Sequence, residues 1–217
     1  MSSGEYVEKL HISTLRFFQR ALFVSKYSYG YSRHSLPFSP KIYDERVFEK
    51  EPQRGDIIVF KTPADNRTDY IKRLIGLPGD VVQIIDGNLL LNNTLIPRNK
   101  LEISLNINCG NEILETDVFE ETLPNGVKYI AVYRREGMMK NSDIFVVPEN
   151  HYFFMGDNRD CSKDSRFLSS VGYVNFNNLV GKAQLIFFSN NKKKHSFFKF
   201  WKWNKSIRTD RLFKKIH

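Results

Sequence analysis

Apolar residues in this 217-residue chain recur with two different periods. Between residues 5 and 22, Val7, Leu10, Thr14, Phe17, Phe18 and Ala21 lie at spacings of three and four. Glu8, Lys9, Arg16 and Arg20 fall largely between them, which predicts one amphipathic helix. Phe23 to Tyr31 then reads as a strand, and Ser32 to Pro40 as a loop. After Arg54-Gly55-Asp56 the texture changes. Short apolar runs at Ile57 to Phe60, Tyr70 to Ile75, Val81 to Ile85, Leu89 to Leu91, Val127 to Tyr133, Ile144 to Val147, Tyr152 to Met155 and Ala183 to Phe188 are separated by Gly, Pro, Asn and Asp clusters, so each predicts a strand. Many short strands without helical patterns between them predict a mostly β fold, an antiparallel sheet or barrel-like body with a short N-terminal helix. Residues 97 to 143 are poorer in apolar positions and read as an inserted β subdomain, because a structureless loop of that length is unusual in a compact domain. The expected organisation is an N-terminal segment 1–50, a β core 51–96 and 144–189, an insert 97–143 and a tail 190–217.

Two polar stretches interrupt this pattern in a way that suggests chemistry. In Asp69-Tyr70-Ile71-Lys72-Arg73-Leu74-Ile75 the side chains of a strand alternate, so Lys72 shares a face with Tyr70 and Leu74 while Arg73 points the opposite way. Taken alone, the stretch leaves two readings open. Lys72 is an edge-strand lysine kept in water to deter sheet pairing, or a desolvated lysine poised as a base. The second stretch, Gly156 to Arg166, follows the apolar run Tyr152 to Met155 and therefore sits on a loop at a strand end. Its start imitates a calcium loop, but Ser162 stands where that loop needs glycine and Leu168 where it needs the bidentate glutamate, so calcium is not expected. What remains is a loop of acids and arginines able to form ion pairs, with small hydroxyls between them.

Composition narrows the function classes. The 41% hydrophobic and 26% charged residues are ordinary globular values. The net charge of +9 belongs entirely to residues 192 to 217, which hold ten Lys/Arg against one acid, while the rest of the chain balances at 23 against 23. The body therefore gives no reason to expect a nucleic-acid partner. In the tail, Lys192 to Lys194, Lys199, Lys202 and Lys205 interleave with Phe197, Phe198, Phe200, Trp201 and Trp203. That suits an anionic membrane surface, RNA stacking, or aromatics packed back on the body. No run approaches the roughly 18 apolar residues of a membrane-spanning helix. Glu5, Glu8 and Lys9 interrupt any signal-peptide core, so the sequence as written reads as a soluble polypeptide. Cys109 and Cys161, 52 positions apart, show no metal-ligand spacing and form no disulfide framework. The five histidines are scattered, and neither a zinc site nor any other cofactor is expected.

Together the two polar stretches resemble one family, the bacterial type I signal peptidases. Tyr70-Ile71-Lys72-Arg73 with Gly76-Leu77-Pro78-Gly79-Asp80 looks like the family's segment around its general-base lysine. Arg54 to Phe60 resembles the strand before it, and Gly156-Asp157-Asn158-Arg159-Asp160 with Ser162, Asp164, Ser165 and Arg166 resembles the late motif. Phe23 to Gly30 resembles the strand after the nucleophile region, so the likeness spans about residues 22 to 189. The resemblance implies a mostly antiparallel β catalytic fold without cofactor. It also implies a monomeric serine endopeptidase with a Ser-Lys dyad, removing signal peptides from exported preproteins at the periplasmic face of the bacterial inner membrane. By the same resemblance Lys72 is the general base, Ser162 orients it, and Asp164 and Arg166 hold the loop. Only roughly 0.04% of an ordinary lysine is neutral at pH 7, so such a base requires a lowered pKa, which burial supplies.

One part of the pattern departs from the family. The nucleophile motif Pro-Ser-Gly-Ser-Met is missing, and an ungapped count back from Phe23 places His11 where its serine should stand. Ser13 is the nearest hydroxyl, two positions away, which on a strand is about 6 to 7 Å along the axis. The family's membrane-spanning segment before the nucleophile is also missing. Three explanations stay open: a degenerate or truncated peptidase, a misassigned or frame-shifted start, or Ser13 as a relocated nucleophile. A reading from another class is a non-catalytic β module that binds extended peptides by strand addition at a membrane surface.

Overall fold

The computed structural model describes residues 20–31, 46–136, 138–189 and 214–215. Strand β1 is Arg20–Ser25, β2 Ile57–Lys61, β3 Asp69–Gly76, β4 Val81–Ile85, β5 Asn88–Leu91 and β6 Thr94–Leu95. They are followed by β7 Arg98–Cys109, β8 Glu112–Thr122, β9 Lys128–Arg134, β10 Phe145–Val146, β11 His151–Met155, β12 Val174–Asn175, β13 Leu179–Ser189 and β14 Lys214–Lys215. Among the described residues the one helical turn is a 3-10 turn at Phe176–Asn178. The paired strands are antiparallel throughout. They form a large sheet in the order β1-β13-β2-β3-β11-β12 with β14 also on β13, a four-stranded sheet β10-β4-β5-β6, and a three-stranded sheet β7-β8-β9.

The helix expected from residues 5 to 22 is corrected at its end. Arg20, Ala21 and Leu22 lie in β1, paired with Ser189, Phe188 and Ile186 of β13. A partner strand more than 160 positions away overrides the local three-and-four spacing, as tertiary pairing commonly does for a weak local pattern. The remainder of that segment, and the basic-aromatic tail apart from Lys214–Lys215, lie outside the described residues.

Strand β3 is central because both of its faces are covered. Leu74 belongs to a buried cluster with Ile58, Phe60, Phe154 and Leu179. Its neighbour Ile75 belongs to a different one, with Val82, Leu91, Tyr129 and Phe153. Strand alternation thus threads β3 between two cores. Phe60 and Phe154 stack at 4.6 Å between ring centroids, and truncating either to Ala would cost about 3–5 kcal/mol. A tight turn ends β3. Gly79 adopts φ +83, where a side chain would be strained. The Asp80 carboxylate there accepts hydrogen bonds from the Leu77 amide (2.6 Å), Arg54 (2.7 Å) and Asn92 (2.8 Å).

Candidate active site

Lys72 pairs in register with Ile58 of β2, and its side chain leaves β3 on the face that carries Leu74. Its Nζ donates to Ser162 Oγ at 2.7 Å and lies 5.8 Å from the centroid of the Tyr70 ring. Burial destabilises the ammonium and is the largest influence on it. Asp164 and then Asp157 pull the other way, and Arg166 adds repulsion, so the lysine is held below its ordinary value. Of the two readings left open by the strand alone, the geometry offers the desolvated lysine and not a solvated edge charge.

Ser162 comes from the loop between β11 and β12, and the chain fixes that loop at both ends. Asp164 and Ser165 are fully buried. One Asp164 oxygen accepts the Gly156 amide at 2.9 Å, and its carboxylate also receives Arg166 Nε at 2.8 Å and Nη2 at 2.9 Å. The Ser165 hydroxyl accepts the Phe154 amide at 2.9 Å. Asp164 and Arg166 therefore do not hydrogen-bond to Lys72; they close the loop on itself beneath Ser162.

The opposite face of β3 anchors the loop's beginning. Arg73, 3% exposed, donates from Nε and Nη2 to the two oxygens of Asp157, both at 2.9 Å, and from Nη1 to the Gly55 carbonyl at 2.9 Å. Its guanidinium lies 4.5 Å from the centroid of the Tyr129 ring of β9. Two residues on, buried Arg159 donates to Glu121 of β8 at 2.7 Å and to the Tyr129 hydroxyl at 2.6 Å. Glu121, 1% exposed, also accepts the hydroxyls of Tyr129 (2.5 Å) and Tyr133. Asp160 accepts the amides of Arg134 (2.8 Å) and Met139 (3.0 Å).

Sequence reasoning passed over three parts of this arrangement. The first is the packing role of Gly156, which the sequence showed only as part of the late motif. A Cβ there would sit 2.0 Å from Ser162 Oγ and 2.4 Å from Ser162 Cβ, so the loop folds over a position that admits no side chain. The second is the Arg73–Asp157 and Arg159–Glu121 pairing, whose partners are 84 and 38 positions apart and left no local signal. The third is a correction. Cys109 and Cys161, expected to form no disulfide framework, are joined, with Cα atoms 5.7 Å apart. The antiparallel β7–β8 ribbon carries its tip to the loop that holds Ser162, a proximity that a spacing of 52 residues does not encode. Ser13 and the residues around it lie outside the described residues.

β11 covers the free edge of β3 only at Arg73, Leu74 and Gly76. Among the described strands none pairs with Asp69–Lys72 on that side, which leaves an open edge beside the lysine. A cavity of about 870 Å³ lined by Tyr29, Arg54, Asp56 and Lys182 lies apart from Lys72. Within it Asp56 receives Lys182 at 2.5 Å and the Tyr29 hydroxyl at 2.9 Å. Among the described residues no group of His, Cys, Asp and Glu could hold a metal ion, and no helix is long and apolar enough to cross a membrane.

The chain is similar to known proteins over most of its length. The family profile described as "Signal peptidase, peptidase S26" matches residues 14–188. Signal peptidase I of Rickettsia prowazekii (strain Madrid E) is 41% identical over 214 residues, spanning 90% of this chain and 78% of the relative. Signal peptidase I of Rickettsia typhi (strain ATCC VR-144 / Wilmington) matches to the same extent. The crystal structure of a signal peptidase I from Enterococcus faecalis V583 shares 28% identity over 61% of this chain and 97% of that one. Its TM-score is 0.36, so the sequence relatives and not this superposition support the assignment. A match over most of the chain, at this identity, means that the protein belongs to the signal peptidase family of serine peptidases, peptidase S26, among the signal peptidases I.

Proposed function

We propose that this chain is a signal peptidase I-type endopeptidase whose base half is complete: Lys72 is the general base, Ser162 orients it, and Asp164 and Arg166 hold the loop that presents Ser162. Its substrates are the N-terminal signal peptides of exported preproteins. The observation that supports this reading is the 2.7 Å contact between Ser162 and a lysine whose ammonium burial disfavours. A neutral amine at that point takes the proton of a nucleophilic hydroxyl as the oxygen attacks the scissile carbonyl, then returns it to the departing amine. The same amine activates the water that hydrolyses the acyl-enzyme. No histidine is needed. The open edge at Asp69–Lys72 supports extended-peptide binding, because a substrate strand added there would run past the lysine. In this reading 51–96 and 144–189 are the catalytic core and 97–143 is an insert. The Cys109–Cys161 disulfide fits an oxidising compartment, the outer face of the inner membrane.

The nucleophile half is, in this reading, degenerate in the sequence as it stands: His11 occupies the serine's ungapped position. The test is restoration. In a chain carrying Glu8→Pro, Lys9→Ser, Leu10→Gly, His11→Ser and Ile12→Met, cleavage of a preprotein after an Ala-x-Ala site should appear. Adding Lys72→Ala should then lower the rate by about 10²–10⁴-fold. Cleavage by the unaltered chain that disappears in Ser13→Ala would instead make Ser13 the nucleophile. The open edge also favours a second reading, a non-catalytic β module for extended peptides. Peptide binding without cleavage by the restored chain would select it.

A further inference from the structure

Between Asp160 and Asp164, where Ser162 sits, the loop has little else to hold it. Up to Asp160 it is tied to β9 and the segment after it: Val132 N donates to the Asp157 carbonyl (2.8 Å), Arg159 N to the Val132 carbonyl (2.9 Å), and Arg134 and Met139 donate to the Asp160 carboxylate. From Asp164 it is tied to itself and to Phe154. In between, Lys163 is exposed, and Cys161 N makes a 3.3 Å contact with Asn158. Ser162 itself packs over Gly156 and accepts from Lys72, and the span's one covalent restraint beyond the chain is the bond from Cys161, the residue before Ser162, to Cys109. At its other end Cys109 closes β7 at the tip of the ribbon. There Glu112 to Glu115 of β8 pair with β7 alone, β9 beginning its pairing at Thr116. Besides the disulfide and its own buried Ile107 and Leu114, the tip is held by the Arg135 amide donating to the Glu115 carbonyl (3.0 Å) and by side-chain contacts of Arg134 with Glu112 (3.9 Å) and Arg135 with Glu115 (3.1 Å), the last two between exposed side chains. Such pairs contribute at most about 1 kcal/mol each.

We propose that Cys109 and Cys161 are positioning residues for the lysine site, and that their disulfide, by pinning the Ser162 turn to the ribbon tip, makes the Ser162–Lys72 contact conditional on oxidation. Reduction by a dithiol breaks the S–S bond. Each sulfur gains one electron and one proton, and the dithiol closes to its own disulfide. The three-residue span then loses its covalent anchor, and water reaches the ammonium that burial had disfavoured. Both cysteines are half-buried, so a small dithiol has access. The groups facing Lys72 are Asp164, Asp157, Arg166 and the Tyr70 ring. All four are held by bonds other than the disulfide or lie on β3, so the change on reduction is one of solvent access and not of local charge.

The inference rests on the reading of Lys72 as a desolvated base, and the experiment separates the two. The full chain is prepared with 13C-labelled lysine, and the Lys72 signal is identified by its loss in Lys72→Met. The ε-methylene shift is then titrated with the chain oxidised, with the chain reduced by dithiothreitol, and in Cys109→Ser and Cys161→Ser. In the oxidised chain Lys72 should titrate below the exposed lysines. In the reduced chain and in both variants its midpoint should move toward theirs by more than the spread among them, while amide shifts in β9 and β11 stay in place. A depressed Lys72 that does not respond to reduction overturns this inference alone. An undepressed Lys72 in the oxidised chain overturns the base reading. A response to Cys161→Ser but not Cys109→Ser, or two free thiols in the oxidised chain, also refutes the disulfide's role.

Discussion

Gly156→Ala tests the packing that sets Ser162 against Lys72. The new Cβ would stand 2.0 Å from Ser162 Oγ and 2.4 Å from Ser162 Cβ, whereas real contacts of this kind stay beyond 3.0 Å, so a change of rotamer is not enough and the Ser162 backbone must retreat. That retreat takes the hydroxyl away from its 2.7 Å contact with Lys72. Losing a hydrogen bond costs about 0.5–1.5 kcal/mol, and overpacking a tight site about 1–3 kcal/mol. Because the loop can give part of the way, we expect a net loss of about 2–4 kcal/mol. With an m-value of about 2 kcal/mol/M, the urea midpoint would fall by about 1–2 M. The same substitution in a Ser162→Gly background removes both atoms that the new methyl would strike, Oγ and Cβ. There Gly156→Ala should be close to neutral, with most of the cost appearing as coupling between the two positions. An equal loss in both backgrounds would refute the account, since the glycine would then be required for some reason other than Ser162.

Three further outcomes follow from the same geometry. Lys72→Met should stabilise the chain at pH 7. A lysine held below its ordinary value is a folded-state cost, about 1.4 kcal/mol for each factor of ten in lost proton affinity. The unfolded chain binds more protons between the folded midpoint and the unperturbed value of 10.5, so wild-type stability rises with pH across that window and the variant's advantage should shrink there in urea titrations. Glu121→Gln leaves the buried Arg159 guanidinium without its counter-charge and should lower unfolding free energy by about 3–5 kcal/mol, read from urea melts. Asp157→Asn removes a carboxylate that favours the Lys72 ammonium, so the Lys72 midpoint should fall further in the 13C titration, opposite in sign to the effect of reduction.

The strands and the site were legible in the sequence to different degrees, for physical reasons. The runs at Ile57, Tyr70, Val81 and Tyr152 each lie on a strand because their alternating or fully apolar patterns answer to buried faces, as in the burial of Ile58, Leu74, Val82 and Phe153. β7 escaped strand-by-strand reading because a two-stranded ribbon exposes most of its residues: Asn99, Lys100, Glu102, Ser104, Asn106 and Asn108 are all in water. The helix pattern before residue 22 misled at its end because pairing of β1 with β13 is decided by residues far along the chain. Lys72 and Ser162 were legible as a resemblance. Gly156 was not legible as a packing requirement, since its constraint is a steric contact with Ser162 and leaves no periodic or compositional mark.

The two consecutive charges of β3 show how the fold turns one strand into both a site and its support. Lys72 and Arg73 differ by one step of strand alternation, yet they face different cores and meet opposite electrostatic conditions. Arg73 receives a bidentate carboxylate, a carbonyl and an aromatic face, the set of partners that lets a guanidinium remain charged in the interior. Lys72 receives a single hydroxyl partner and desolvation, and the desolvation favours the neutral amine. Asp157 is the hinge between them, since it neutralises Arg73 directly while its charge reaches Lys72 only at a distance. A loop that begins on Asp157 and presents Ser162 five residues later is therefore aligned by one face of the strand for work on the other. Moving the arginine's partner would disturb the base without touching it.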